Sequence, residues 1–375
     1  MLNNVTIHLI GFVRLSLGDQ HTMILRQDGS VWGTPTTLQG VRTVSRNASK
    51  GFEQLIARGA IAVAAGSGYN MVLKRDGNVW AMGRNARGQL GVGNRVRKSK
   101  FTIVAVISGA KNIAAGSGHT LVLTETGQVW AAGWNAYGQI GAGLAVSKAK
   151  FYLMISSGAK AVAAGDFHSI VLKEGGSVWA AGRNDYGQLG DGSETNRNKF
   201  IQVISGDAVD VVAGGRHSMV LKHDGSVWAT GLNRYGQLGD GSTTDRVGYL
   251  QVVTNGAKAI AAGGQHSMVL KQDGSLWITG YNEYGQLGDG TRIDSFDFIQ
   301  VISEGVKTVA AGGFHSMVIK HDGSFWATGS NKYGQFGNTL VTLRKDFFKL
   351  SPFGDSVRHG ARPYPWTLVC DITAA

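Results

Sequence analysis

The chain has 375 residues, a formal net charge of +12, 56 glycines, four prolines and a single cysteine, Cys370. One cysteine excludes an internal disulfide and suggests a reducing compartment, so the cytoplasm or nucleus is expected. No apolar run reaches the ~18 residues of a helical membrane span, and Met1–Val13 lacks the basic leader and cleavage site of a secretory signal.

Seven tryptophans recur at one pitch. Trp32, Trp80, Trp130, Trp179, Trp228, Trp277 and Trp326 are spaced 48, 50, 49, 49, 49 and 49 residues apart. A period of this size marks a repeat architecture, and it overrides the two or three domains that length alone suggests. In chain order, Val5–Ile10 (VTIHLI) falls over a fourth-strand position when Gly18 is aligned with Gly312. The first copy is degraded after Trp32, recovers at Phe52, and Ala64-Ala65-Gly66 opens the second on schedule. The fifth copy is the cleanest. Ala208–Ala213 and His217–Lys222 are strands joined by a Gly-Gly-Arg bend, and His223-Asp224-Gly225 is a turn into a third strand, Ser226–Thr230. Asp-Gly between β-rich runs is a strong hairpin signal, read here as a tight turn with both central residues at positive φ. A polar loop, Leu232–Arg246, leads to a fourth strand, Tyr249–Val253. The seventh copy has its own fourth-strand candidate, Phe347–Leu350, and the proline-containing stretch 352–375 reads as a tail.

Strands of five or six β-branched residues exclude helical repeats. Between a closed propeller and an open solenoid, closure is favoured because it protects sheet edges. The fold expected is all-β: a seven-bladed β-propeller of four-stranded antiparallel blades over residues 5–351. Val5–Ile10 is expected to join the last blade and latch the ring, with its place relative to Phe347–Leu350 left open.

The string A-G-x-x-H-S-x-V-L-x-x-D-G-x-V-W-x-x-G-x-N-x-Y-G-Q-L-G, quotable from Ala213 to Gly239, resembles the repeat of the regulator of chromosome condensation family. The resemblance covers about Val5–Leu350 and implies the family's seven-bladed propeller. Its members include a nucleotide exchange factor for the small GTPase Ran and a UV-B photoreceptor. The photoreceptor carries tryptophans two residues before the repeat histidine. Here those positions are Asp19, Ser67, Ser117, Asp166, Gly215, Gly264 and Gly313, which argues against photoreception. The exchange factor inserts a β-hairpin wedge into one blade. The Trp-to-Trp spacings vary by only two residues, so that wedge is not expected here.

His21, His119, His168, His217, His266 and His315 share one repeat position, with Tyr69 as the seventh. Imidazoles suit a metal, but a role repeated in every copy belongs to the fold. A hydrogen bond to the neighbouring blade's backbone is expected instead, which Tyr69 can also make. Trp80, Trp130, Trp179, Trp228, Trp277 and Trp326 are expected to fill the space between blades. The Gly-x-Asn-x-Tyr-Gly-Gln segments lack the lysine and following helix of a phosphate loop. The loops at Asp191, Asp240 and Asp289 carry too few carboxylates for calcium. No nucleophile–base pair, metal site or cofactor is read, and a non-catalytic scaffold is expected.

Where the copies differ, recognition is expected. Phe167, Arg216 and Phe314 precede the repeat histidine; Arg84, Trp134, Arg183 and Tyr281 lie between the repeat glycine and asparagine; Arg234 lies two residues further on. Together they form an aromatic and arginine surface of the kind found at protein-binding hot spots. The long loops carry a summed charge of +9 over the first three copies against +1 over the last four. Their basic arc comprises Arg42, Arg46, Arg95, Arg97, Lys98, Lys100, Lys148 and Lys150. It could engage an acidic protein, chromatin or the DNA backbone without sequence preference. A monomer that binds a protein partner is expected; the alternative is an exchange factor for a Ran-like GTPase.

Overall fold

The computed structural model describes residues 14–34, 51–337 and 341–350. They form seven four-stranded antiparallel sheets, in each of which every strand pairs only with its neighbours in sequence. The blades span residues 14–56, 60–106, 110–155, 159–204, 208–253, 257–302 and 306–350, here blades 1 to 7. In blade 5 the strands are Ala208–Ala213, His217–Lys222, Val227–Gly231 and Arg246–Val253. The fourth begins three residues earlier than Tyr249, taking its start from the polar loop.

Burial sorts the strands by radius. The first strands and the bends after them line the axis. Second strands such as His217–Lys222 are buried on both faces because blades flank them on either side, so they read as apolar runs rather than alternating ones. Each fully buried Met, Val or Leu contributes about 1.5–3 kcal/mol. Fourth strands are outermost and half exposed. Trp179 packs on the Leu121, Leu123 and Val129 cluster of blade 3, and Trp277 on the Met219 and Leu221 cluster of blade 5. Six of the seven indole N–H groups are satisfied locally, as in Trp228 Nε1 donating to Ser226 Oγ at 3.1 Å and Trp277 Nε1 to Ser275 Oγ at 3.0 Å, whereas Trp80 Nε1 is buried without a partner.

The Asp-Gly turns depart from the expected geometry. Gly225 has φ 77°, yet among the described residues Asp207 is the single non-glycine at positive φ, so Asp224 does not share it. Lys222 N donates to Ser226 O and Gly225 N to Lys222 O, which makes a three-residue loop: a tight turn followed by a left-handed glycine. The Asp224 carboxylate accepts from Ser226 N at 2.8 Å, pinning the turn.

The ring closes by packing blade 7 on blade 1. Val5–Ile10, expected to latch it, lies outside the described residues, as does 351–375. The fourth ladder position of blade 7 is taken by Leu343–Leu350, the competing segment, paired with Phe325–Ser330. At the seam Ile24 and Phe52 join Met317, Ile319, Phe325 and Phe336 in one buried cluster. Phe52 covers Gly337 just as Phe200 covers Gly141 between blades 3 and 4.

A buried belt runs through all seven blades. Nε2 of His119, His168, His217 and His266 lies 2.9 Å from the hydroxyl of Ser169, Ser218, Ser267 and Ser316 in the next blade. His315 reaches Thr22 Oγ1 across the seam at 3.2 Å, and His21 reaches Asn70 Oδ1 at 2.7 Å. A side chain thus stands opposite each histidine where a backbone acceptor was expected: serine at four rings, Thr22 at His315 and Asn70 at His21. Tyr69 donates to the backbone, His119 O, at 2.5 Å. Ser267 Oγ is itself a donor to Gln237 O at 2.6 Å. It therefore accepts from His217, which fixes that ring as the Nε2–H tautomer. Gly214 makes room for the arrangement: a Cβ there would lie 2.3 Å from the His217 ring and 2.6 Å from Gly263 O of blade 6. Burial holds the histidines well below their usual pKa, to about 4 for His119 and His217 and about 3 for His168, His266 and His315.

Candidate protein-binding face

The bend after the first strand and the loop after the third emerge at the same end of each blade. Backbone bonds place them side by side: Arg183 N donates to Phe167 O at 2.9 Å, Trp134 N to Gly118 O at 2.7 Å, Tyr281 N to Gln265 O at 2.9 Å and Ser330 N to Phe314 O at 2.8 Å. The divergent positions picked from sequence therefore share one end of the ring. The repeated Asn and Gln anchor the loops that carry them. Buried Asn233 accepts from Leu238 N at 3.0 Å and donates to Asp240 Oδ1 at 2.9 Å, while Gln237 Oε1 accepts from Tyr235 N at 3.0 Å.

Two aromatic clusters result. The first spans blades 2 to 5. Trp134, Tyr137 and Phe167 form a triangle with ring centroids 5.3–5.7 Å apart. Arg87 stacks over Trp134 at 4.2 Å, and Arg183 lies 4.9 Å from Tyr137 and 5.7 Å from Phe167. Arg183 is also paired with Asp185 at 2.6 Å. Arg216 continues the strip, 5.2 Å over Tyr186 and donating to its hydroxyl at 3.0 Å. The second cluster joins Tyr235 to Tyr281 at 4.7 Å and Tyr284 to Phe314 at 5.2 Å. Burial and the Glu283 carboxylate, which accepts from the hydroxyl, push the Tyr281 pKa up.

Of the residues expected here, Trp134, Phe167, Arg183 and Arg216 come together in one strip, and Tyr281 with Phe314 in the other. Arg234 stacks on Tyr235 at 5.7 Å, and exposed Arg84 covers Gly68 apart from both. Arg87, Tyr137, Tyr186, Tyr235 and Tyr284 were missed. They occupy the tyrosine of Gly-x-Asn-x-Tyr-Gly-Gln, whose repetition reads as a fold role, although Arg87 in place of that tyrosine was a visible signal.

The axis itself offers little room. Its cavity is about 80 Å³, ringed by Gly18, Gly66, Gly116, Gly165 and their successors, well below the ~300 Å³ of a small-molecule pocket. Asp166 and Asp19 face its mouth. Burial, with the like charge of Asp19 second, pushes the Asp166 carboxyl up to about 7, while Arg216 acts against the rise. Among the described residues no group of three or more His, Cys, Asp or Glu is placed to hold a metal. No helix there is long and apolar enough to cross a membrane.

The basic arc lies at the same end, further from the axis. Arg95, Arg97, Lys100 and Lys150 are exposed, and Lys98 and Lys148 are half buried. Arg42 and Arg46 lie outside the described residues.

The model of the RCC1-like domain matches residues 3–248, and that of the regulator of chromosome condensation repeat matches 257–286 and 306–335. No curated protein matches in sequence. Among solved structures, human WBSCR16 is 22% identical with a TM-score of 0.73, over 80% of this chain and 85% of that one. Prp20p of Saccharomyces cerevisiae, studied for its binding to Gsp1p and histones, is 20% identical with a TM-score of 0.67, over 80% of each chain. At these identities the likeness is one of fold.

Proposed function

We propose, for a chain that belongs to the RCC1-like domain family, a non-catalytic scaffold that binds a protein partner across the aromatic and arginine strip. One observation carries the reading: Trp134, Tyr137, Phe167 and Arg183 converge from two blades into a half-buried, contiguous patch. Aromatic rings anchored by neighbours lose little entropy on binding, and Trp, Tyr and Arg dominate hot spots. Stacking also keeps Arg183 in place between blades 3 and 4, ready to receive an acceptor.

Affinity capture from native extract, with quantitative mass spectrometry, tests this. Specific partners should fall about tenfold or more with Trp134→Ala and Phe167→Ala and persist with Arg84→Ala. Equal capture by all three variants would reject the strip as the interface. Nucleotide release from a panel of small GTPases serves the alternative: acceleration by orders of magnitude, lost in Trp134→Ala, would make the partner a GTPase substrate of exchange.

A further inference from the structure

The long loops at the outer rim fall into two kinds. In blades 4 and 5 an aspartate opens the loop and an arginine six residues later closes it. Arg197 Nε lies 2.7 Å from Asp191, and Arg246 Nη2 lies 2.6 Å from Asp240. Ser193 and Asn184 complete the first knot, Ser242 and Asn233 the second. In blades 2 and 3 the aspartate is replaced by Val92 and Ala142, and the closing residues are Lys98 and Lys148. Among the described residues neither lysine has an ion pair. The bridge from each loop to the next blade's fourth strand follows the same division. It joins Val92 to Lys150 and Ala142 to Lys199, but Asp240 to Asp297 and Asp289 to Asp346. One side of the rim is basic, and on the other side aspartates balance the cations.

The loop tips change in step. Val96 is 64% exposed, Leu144 67% and Val146 58%; the positions matching Val96 and Val146 are Thr195 and Thr244 in blades 4 and 5, and those matching Leu144 are Ser193 and Ser242. Val92 and Ala142 themselves line grooves of about 370 and 620 Å³, the first mostly apolar with Lys150 beside it, the second mixed, with Lys148, Lys173 and Lys199 among its lining. A nucleic-acid backbone would use the lysines and arginines and gain nothing from the apolar tips. An anionic bilayer uses both: cations meet the headgroups while aliphatic side chains enter the acyl boundary.

We infer that the rim of blades 2 and 3 docks on an anionic lipid bilayer, with Val96, Leu144 and Val146 inserting and Arg95, Arg97, Lys98, Lys100, Lys148 and Lys150 meeting the headgroups. None of these residues belongs to the aromatic strip of blades 2 to 5 or to the second cluster over blades 5 to 7. Ile293, 74% exposed at the matching tip of blade 6, supplies the internal control: Asp289, Asp294 and Asp297 outnumber the one cation beside it, Arg292, and their net negative charge disfavours such a surface.

Co-sedimentation of the full chain with vesicles tests the inference. Phosphatidylcholine vesicles containing about 30% phosphatidylserine should retain the protein, and pure phosphatidylcholine should not. Arg95→Glu/Arg97→Glu and Leu144→Asp/Val146→Asp should each weaken retention about tenfold or more, Ile293→Asp and Trp134→Ala not at all. All are exposed or surface positions, and an unchanged thermal midpoint confirms the fold. Failure to sediment with the anionic vesicles overturns the inference, as does retention indifferent to Leu144→Asp/Val146→Asp. Duplex DNA bound in place of vesicles, equally by wild type and the Leu144→Asp/Val146→Asp variant, would assign the arc to nucleic acid.

Discussion

The buried belt and the exposed end of the ring are built from adjacent residues and follow opposite rules. His217 and Arg216 are neighbours in sequence. The first is repeated in six blades, faces the next blade, and is set in place by a serine and a glycine that recur with it. The second is an arginine in blade 5 alone, where blades 4 and 7 have phenylalanine, and it stacks on a tyrosine of the preceding blade. Identity between copies encodes the contact that every pair of blades must make. Difference between copies encodes what only one side of the ring presents.

The largest effect should come from acid. Burial lowers the pKa of every belt histidine, to about 3 or 4 for His119, His168, His217, His266 and His315, so the rings are neutral in the fold, against an ordinary value near 6.5 in the unfolded chain. The unfolded state therefore binds more protons between these values, and stability is full above about pH 6.5 and falls as pH drops toward 4. A chemical-denaturation midpoint measured from pH 7.5 to 4.5 should decline steeply below 6.5, and a flat profile would mean the rings are not buried as a set. Next, His217→Ala should cost about 2–4 kcal/mol by urea unfolding, since it leaves a cavity and strips the donor from Ser267. A smaller loss, about 1–2 kcal/mol, is expected for Asp240→Ala, which frees Arg246 and Asn233 at the rim. Although burial opposes it, the bonds from Arg246, Ser242 and Asn233 hold the Asp240 carboxyl below the usual range. Its contribution is therefore present above about pH 4 and lost below.

Much of this was legible in the sequence. The tryptophan period fixes seven units, the Asp-Gly turns and β-branched runs fix their strands, and the divergent positions Trp134, Phe167 and Arg183 mark the strip. What escaped has a physical reason in each case. Tyr137 and Tyr186 repeat, so their part in the strip is hidden by their part in the fold. The serine acceptor of the belt lies 50 residues from its histidine, and no local pattern pairs them. The contrast between Asp191–Arg197 and Val92–Lys98 needs the knowledge that residues six apart meet across a loop. Charge counting showed the asymmetry without its cause.

Because every blade is a contiguous stretch of chain, six of the seven junctions join segments about 50 residues apart, whereas the bond from His315 to Thr22 joins residues 293 apart. Entropy of loop closure grows with the logarithm of that separation, which makes the seventh junction about 1.6 kcal/mol dearer than its siblings. Its hydrogen bond is also longer than the four histidine–serine ones. The circle thus has a clasp, and local opening of the ring is expected first where blade 7 meets blade 1.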